Sequence, residues 1–504
     1  SKKMTVYMGS QNPSSHKFQA GTLDHLLTKT YTSSHIHLDN LHFRGANMDA
    51  VYIAGGKNIK FSNIEVENAG ADGIQSLSVL ELVIENSKVT DAYNNGLSLN
   101  YGNIGAILKN NVVENAGNIA GRNRNSDGSG IGILAKTDNT LIEGNTVRNT
   151  GYNGIHFGGN NTVVKNNLVE NFVLIKGDGG GIYTFDGSST SKLTNRKVIN
   201  NIVLNARGSR GGVPQHEVNF KPLAEGIFLD DNSSGVEISG NTVAHAGNNA
   251  MKMSNVSDII IKDNTFFDAS SLLTIGNNEL GRDARNVTIQ DNIFFSRNPD
   301  QGSYSLVSNK NDISQMGSFN GNYFFRPLGD EYSIYTRYQG TSGTVEKEED
   351  LGGWQKSFGK DKDSKSNSVA IEKFKVKKKI GANYFNNEAF SSNIKGLEVL
   401  DGRGSWSSNK INGGCLQVVT PKSSAVVINL GSLKKDKKYL VKFSGVANKA
   451  GAVKVLLRHY GSPWQVVSPS TTFEFGTAKT EYQTIVSPYA DVENTALKIA
   501  AEDP

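Results

Sequence analysis

Three acidic side chains stand where carboxyl chemistry could be done. Asp178 lies in Gly177-Asp-Gly-Gly-Gly-Ile-Tyr-Thr-Phe-Asp186, and Glu225 and Asp230 lie in Ala224-Glu-Gly-Ile-Phe-Leu-Asp-Asp231. The two stretches align, Gly181 against Gly226 and Asp186 against Asp231. Paired carboxyls divide labour. One keeps its proton through its neighbour's charge and partial burial and gives it to a leaving oxygen, while the other attacks carbon or activates water. Asp178 and Asp230 are the first candidates and Glu225 the third. Glu225 shares its column with Asp49, Asp72, Asn95, Asn153 and Asn249, so a corner residue bonding backbone N–H groups is an equal reading. Asp186 and Asp231, each followed by Gly or Asn and two serines, read as Asx-type corner caps. Asp127, in Asn125-Ser-Asp-Gly-Ser-Gly, is a further loop candidate whose simpler reading is a turn.

The elements that must hold these acids repeat. Asn-x-apolar-x-Asn recurs with a period of about 23 residues, as at Asn111–Asn115, Asn145–Asn149 and Asn167–Asn171. Short alternating runs such as Ile259-Ile-Ile-Lys-Asp-Asn264 separate the landmarks. The frame of leucine-rich repeats is absent, and 54 glycines disfavour helical repeats. The expectation is an all-β chain: a right-handed parallel β-helix, its coils about 4.8 Å apart, its Val, Ile and Leu stacked inward and its asparagines laddered between coils. A β-sandwich follows it.

The corner between each landmark and the next strand is short in most coils, as from Asn68 to Gly73 or Asn149 to Gly154. It swells from Asn115 to Gly132, from Asn171 to Gly181 and from Asn205 to Gly226. Loops rising from one edge of a rigid solenoid wall a groove. With the Ile after each glycine facing inward, period two sends Tyr52, Gln75, Ser98, Leu134, His156, Tyr183, Phe228 and Lys252 outward in one column. Asn100, Lys136, Gly158, Phe185 and Asp230 form the second. Aromatic rings such as Tyr183 and Phe228 offer sugars an apolar face, while Lys136, Lys252, Asn100 and Asp127 hold hydroxyls or anions. His156 orients or assists the acids, or is simply an exposed strand residue. Acids one coil apart lie near roughly 5 Å and two coils apart near roughly 10 Å. Those spacings bracket retaining (about 5–5.5 Å) and inverting (about 6.5–9.5 Å) glycosidases.

Composition limits the rest. A net charge of +5 without an Arg–aromatic stripe argues against nucleic acid. No long apolar run spans a membrane. The single Cys415 forms no intrachain disulfide. Three regions are expected: a β-helix over residues 1–330, an irregular charged connector over 331–392, and the sandwich over 393–504. Within the connector, Asp361–Asn367 is a loop that could hold a structural calcium, though it lacks a calcium loop's glycine and closing glutamate. No cofactor is otherwise required. The chain begins at Ser1-Lys-Lys without an apolar signal segment, which reads as a processed or trimmed start that would hide any export signal, and a secreted, cell-surface or periplasmic protein of bacterial type is expected.

Over residues 30–330 the chain resembles the right-handed parallel β-helix superfamily of polysaccharide-active enzymes. The pairing of Asp178–Thr184 with Glu225–Asp231 is similar to secreted glycoside hydrolases of that group, which use paired acids on the helix face. The polygalacturonase pattern is not matched as a set; Ser126-Asp-Gly and Asp230-Asp231 are partial echoes. The last 110 or so residues resemble a carbohydrate-binding β-sandwich, with Trp406, Tyr460 and Trp464 as a sugar platform or as core aromatics. The resemblance implies hydrolysis of a polysaccharide, acidic or sulfated substrates included. Two rivals stand: a lyase in which Lys136, Lys252 or His156 takes the proton next to a uronate carboxyl, and a non-catalytic glycan-binding solenoid. Oligomeric state is silent in the sequence.

Overall fold

The computed structural model describes residues 7, 9–17, 20–31, 33–123, 127–206, 208, 223–278, 281–298, 301–326, 333–367, 380–387, 390–408, 414–419, 424–435, 437–462 and 464–501. Among these, three long sheets wind into a solenoid. Sheet A has 13 strands from Leu27–Lys29 to Gly343–Glu349, sheet B 11 from Ile36–Asp39 to Gly317–Asn320, and sheet C 12 from His42–Arg44 to Lys365–Asn367. Each coil contributes one strand to each sheet, paired in parallel with the coils above and below.

The landmark residues explain the turns. Asn68, Asn115, Asn149, Asn171 and Asn205 all have φ between +53° and +62°, as do His245 and Asp268. Asn and Asp tolerate this left-handed corner because their short polar side chains bond locally. At the preceding corner glycine replaces asparagine where it can: Gly144, Gly240 and Gly321 have φ of +66° to +71°, where other coils carry Asn110, Asn166 and Asn200.

The first asparagine of each landmark points inward. Asn111, Asn145, Asn167, Asn201, Asn241, Asn264 and Asn292 each donate from Nδ2 to Oδ1 of the next member at 2.9–3.1 Å, ending on Asn322. Each Oδ1 also takes the backbone N–H of the coil before it, as in Asn145 N–H to Asn167 at 2.8 Å. These amides are buried and fully engaged, so the ladder locks the register of successive coils. Beside it, Val113, Val147, Val169, Val203 and Val243 stack in one inward column. The column continues in Phe266, Phe294 and Phe324, whose rings stack 5.3 and 5.5 Å apart.

The solenoid runs past residue 330, which corrects the expected boundary and the irregular connector. Ile334–Gly340 adds a parallel strand to sheet A, and Gly343–Glu349 turns back antiparallel to it. The helix Leu351–Phe358 then closes the end with Trp354 fully buried. Lys365–Asn367 adds to sheet C. Charged side chains hid these elements because a cap has only one apolar face to show. Asp361 terminates the ladder: its oxygens accept Asn322 Nδ2, Trp354 Nε1 and Ser364 Oγ.

Beyond it, antiparallel strands build the second region. Glu398–Leu400, Ser424–Leu433, Val492–Ala501, Gly451–His459 and Thr471–Phe475 form one sheet in that order. The pair Tyr439–Gly445 and Thr480–Val486 faces a core of Leu433, Val455, Leu457 and Leu497. Among the described residues no helix is long and apolar enough to cross a membrane.

Candidate active site

The register places the expected columns as read. Ser98, Leu134, His156, Tyr183, Phe228 and Lys252 pair in sequence across adjacent strands of sheet A. Their surroundings differ from an open strand face. Ser98, Leu134, His156, Tyr183 and Phe228 are all buried although they point away from the core. Part of the cover comes from the corners, where Ile131 of a swollen corner and Tyr152 of a short one pack on Leu134. Lys176 straps the swollen corners after Asn115 and Asn171 together, its Nζ donating to Ser129 O at 2.9 Å and Oγ at 2.7 Å while lying 5.2 Å from the Tyr152 ring centre.

The column is an aromatic stack topped by a cation. The His156 ring meets Tyr183 edge-on at 4.7 Å, Tyr183 meets Phe228 at 5.3 Å, and Lys252 Nζ sits 4.2 Å from the Phe228 ring centre. Tyr183 and Phe228 are therefore floor and support, not the exposed sugar platforms expected of them. His156 is fully enclosed, and neither ring nitrogen has a hydrogen-bond partner among the described residues. Burial, helped by the Lys136 charge, pushes its pKa down to about 3, so the imidazole is neutral.

The acids take distinct roles. Asp230 follows the strand Ala224–Leu229 and is half-buried. It accepts the Tyr183 hydroxyl at 2.6 Å and the Asp231 N–H at 2.9 Å. Burial raises its pKa against the pull of the Tyr183 hydrogen bond, and the charges of Asp231 and Asp178 add to the rise. Asp178 stands at the other end of the neighbouring strand, with φ +56° and a side chain 61% exposed. Lys252 Nζ holds its Oδ1 at 3.2 Å, and its carbonyl accepts the Tyr152 hydroxyl at 2.9 Å. The two acids thus lie in adjacent coils but at opposite ends of their strands, so coil spacing alone does not set their separation. Tyr183 links them: it bonds one acid, and its hydroxyl is held above the usual phenol range by burial, then by Asp230, with a smaller push from Asp178. Tyr152 is raised in the same way.

Glu225, expected as the third candidate acid, lies beneath the surface of the site. It is fully buried; Oε2 accepts the Asn249 N–H and Nδ2 at 2.8 and 2.9 Å, and Oε1 accepts Asn248 Nδ2 at 2.9 Å. That is the corner role of its column, for Asn95 and Asn153 serve Ile131 N–H and Gly180 N–H in the same way. A neutral asparagine suffices in those coils. The carboxylate here has a further neighbour, Lys252 Nζ at 3.6 Å. Burial raises the Glu225 pKa, and Lys252 opposes the rise. Lys252 is accordingly engaged by two carboxylates rather than free for substrate.

The remaining candidates scatter. Lys136 is exposed and has no ion-pair partner among the described residues. Asn100 is half-buried and donates to Ser98 Oγ at 3.1 Å. Asp127 is exposed on its loop, where its charge acts on Tyr152 and Lys176. Asp186 accepts the corner N–H of Ser234 at 3.0 Å, in keeping with the capping expected of it, and also holds Arg196 in a buried two-point ion pair at 2.8 and 2.7 Å. Tyr152 and Lys176 escaped the sequence reading because the residues at their places in the other corners differ in kind, so no column of like residues marks them. No group of three or more His, Cys, Asp or Glu side chains placed to hold a metal occurs among the described residues.

The right handed beta helix region family matches residues 28–155 and 132–324. The chain belongs to this family. No curated protein matches the sequence. Among solved structures, this β-helix protein is similar to the Dettilon tailspike protein at 11% identity, covering 95% of this chain and 87% of that one, with a TM-score of 0.34. It is also similar to the Azotobacter vinelandii mannuronan C-5 epimerase AlgE4 A-module at 11% identity, covering 62% and 87%, with a TM-score of 0.36. An exopolygalacturonase from Thermotoga maritima matches at 10% identity over 60% and 74%, with a TM-score of 0.33.

Proposed function

We propose that this β-helix protein is a glycoside hydrolase acting on a polysaccharide, with Asp230 as general acid and Asp178 as the base or nucleophile. The observation that carries the reading is the contrast between the two acids. Asp230 is half-buried, keeps its proton to higher pH than an ordinary aspartate, and is oriented by Tyr183. Asp178 is exposed and paired with an ammonium. Titratable pairs whose environments pull apart in this way are the signature of acid–base division. The proton passes from Asp230 to the glycosidic oxygen as that bond breaks; Asp178 attacks the anomeric carbon or takes a proton from the attacking water. Lys252 fixes Asp178, and Glu225 fixes Lys252.

Asp127, Asn100 and Lys136 are the side chains left to meet substrate. Acidic or sulfated glycans are included among the substrates on account of Lys136. The proton abstraction of a lyase finds less support: His156 is enclosed, Lys252 is paired twice, and both site tyrosines hold their protons strongly. The cellular place proposed is outside the cytoplasm, where polysaccharides are met. The test is a panel of neutral, uronate-rich and sulfated polysaccharides, read for new reducing ends and for the ultraviolet absorbance of unsaturated uronate. Reducing ends without absorbance, lost in both Asp178→Asn and Asp230→Asn, are expected. Absorbance together with reducing ends, or wild-type rates in both variants, would overturn the assignment.

A further inference from the structure

One aromatic ring on the face of sheet A stands clear of the buried stack. Phe185 follows the strand Gly179–Thr184 and is 40% exposed, while Tyr183, two residues before it, is enclosed between His156 and Phe228. Its direction is fixed from both sides. Thr184 and Asp186 turn inward to the buried Arg196, whose Nη1 donates to Thr184 Oγ1 at 3.1 Å and to Asp186 Oδ1 at 2.8 Å. In extended chain the residue between two inward neighbours points out. Gly187, at φ +71°, backs the ring, since a Cβ there would lie 3.0 Å from Phe185 Cε1. The loop beyond is tied down by Arg282, whose Nη2 donates to Ser188 O at 2.8 Å and to Ser191 O at 2.6 Å. The ring is held in place on an anchored turn.

The flanking coils supply polar chemistry beside it. The Tyr183–Phe228 register runs on through Thr184–Leu229, and Asp230 N–H donates to Thr184 O at 2.8 Å, so Asp230 stands next to Phe185 in the following coil. In the preceding coil Gly158 takes the corresponding place and pairs with Lys136. Gly158 carries no side chain, and Lys136 Cγ lies 3.5 Å from where its Cβ would be, so the lysine stem runs along that place. Ammonium, ring and acid thus follow one another along the outer column, on coils about 4.8 Å apart.

We propose that Phe185, Lys136 and Asp230 line one subsite of the active site, in which a pyranose bearing a carboxylate or sulfate stacks on Phe185 and turns its anion to Lys136. A pyranose has an apolar face and a polar rim, which match a ring bordered by an ammonium. A ring with two side-chain torsions, backed on one side, loses little freedom when a ligand lands on it. The subsite rests on the hydrolase reading and commits it to one substrate class. Attack comes from the face of the sugar opposite the leaving oxygen. Asp178 stands at the other end of the strand that leads to Phe185, so the stacked sugar is the one that departs with the proton of Asp230.

Binding is read without turnover, in Asp178→Asn protein, as retardation in native gels cast with increasing polygalacturonate, a sulfated galactan or dextran. At least one acidic polymer should retard this protein more than dextran does. Adding Phe185→Ala should weaken that binding about tenfold or more. Adding Phe185→Trp instead should preserve it, which separates loss of the ring from loss of the fold. Adding Lys136→Gln should bring the acidic polymer down to the level of dextran. Retardation that depends on Phe185, with no new reducing ends formed by wild type on the same polymer, would sink the hydrolase reading alone. Equal binding with and without Phe185→Ala, equal retardation by dextran and both acidic polymers, or no retardation by either acidic polymer would each overturn the subsite.

Discussion

The outer faces of sheets A and B share one backbone repeat and have opposite characters. On sheet B, like the early coils of sheet C, the outward columns alternate in charge. Lys60 reaches Glu85 at 2.7 Å, Glu143 lies between Lys109 at 3.7 Å and Lys165 at 3.3 Å, and Lys262 reaches Glu237 at 3.0 Å. On sheet C, Arg148 bridges Glu114 at 3.7 Å and Glu170 at 2.8 Å. These are solvated ladders, each rung worth about 0–1 kcal/mol. On sheet A the same coil spacing carries a buried stack from His156 to Phe228, with acids at its margins. The difference lies outside the sheets. Corners that swell beside sheet A bring desolvation, and desolvation raises a carboxyl's pKa and keeps a histidine a neutral ring. A solenoid supplies spacing; its loops decide what the spacing is used for.

The largest effect that can break this comparison is kinetic. Asp230→Asn should lower turnover by about 10²–10⁴-fold. It should not weaken the fold at neutral pH. Burial raises the Asp230 pKa on folding, so its stabilising contribution is full below the unfolded value of about 3.9 and is lost as pH rises through the folded value. The amide removes that loss, and thermal melts at pH 7 should show a melting temperature equal to or above wild type. A clear drop would mean that Asp230 belongs to the scaffold.

Asn167→Ala should do the converse. It leaves Asn145 N–H and one of the two Asn145 Nδ2 hydrogens without an acceptor and takes the side-chain donor from the Ile142 carbonyl inside the core, at a cost of about 3 kcal/mol or more. Denaturant titration should register that cost, while turnover below the transition stays within about twofold of wild type, since the ladder lies away from the acids.

His156 tests the desolvation itself. Its pKa falls to about 3 on folding, so its contribution to stability is full above the unfolded value of about 6.5 and is lost as pH drops, with a slope of about 1.4 kcal/mol per pH unit. His156→Leu should flatten the difference between melts at pH 7 and pH 4.5. An unchanged slope would place the imidazole in contact with water.

Glu143→Gln carries the smallest effect. It removes the centre of a half-exposed ladder and should change stability by no more than about 1 kcal/mol, less in high salt. A larger loss would show that the outer face of sheet B is more than a solvated surface.

Much of the solenoid was legible because it is periodic. The landmark asparagines announced the repeat, whose corners Asn115, Asn149 and Asn171 turn with positive φ, and period two put Ser98, Leu134, His156, Tyr183, Phe228 and Lys252 in one column, as the strand register has it. The swollen corners likewise marked the face that carries the acids. Local chemistry decides such features: a residue's conformational preference and the alternation of its neighbours need no distant partner. The cap over Ile334–Phe358 was not legible, being aperiodic and charged.

Burial and pairing were settled by chain segments far apart in sequence. Lys252 joins Asp178 across 74 residues, Lys176 straps Ser129 across 47, and Tyr183 finds Asp230 across 47. Tertiary packing likewise buried Glu225 behind Lys252 and put Asp186 in an ion pair with Arg196, and burial raised the Asp230 pKa. The sequence by itself determined the repeat, the corners and which side chains face out of each sheet. Only the tertiary structure decided which of them meet water, because desolvation belongs to the assembled surroundings of a group and not to its place in the chain.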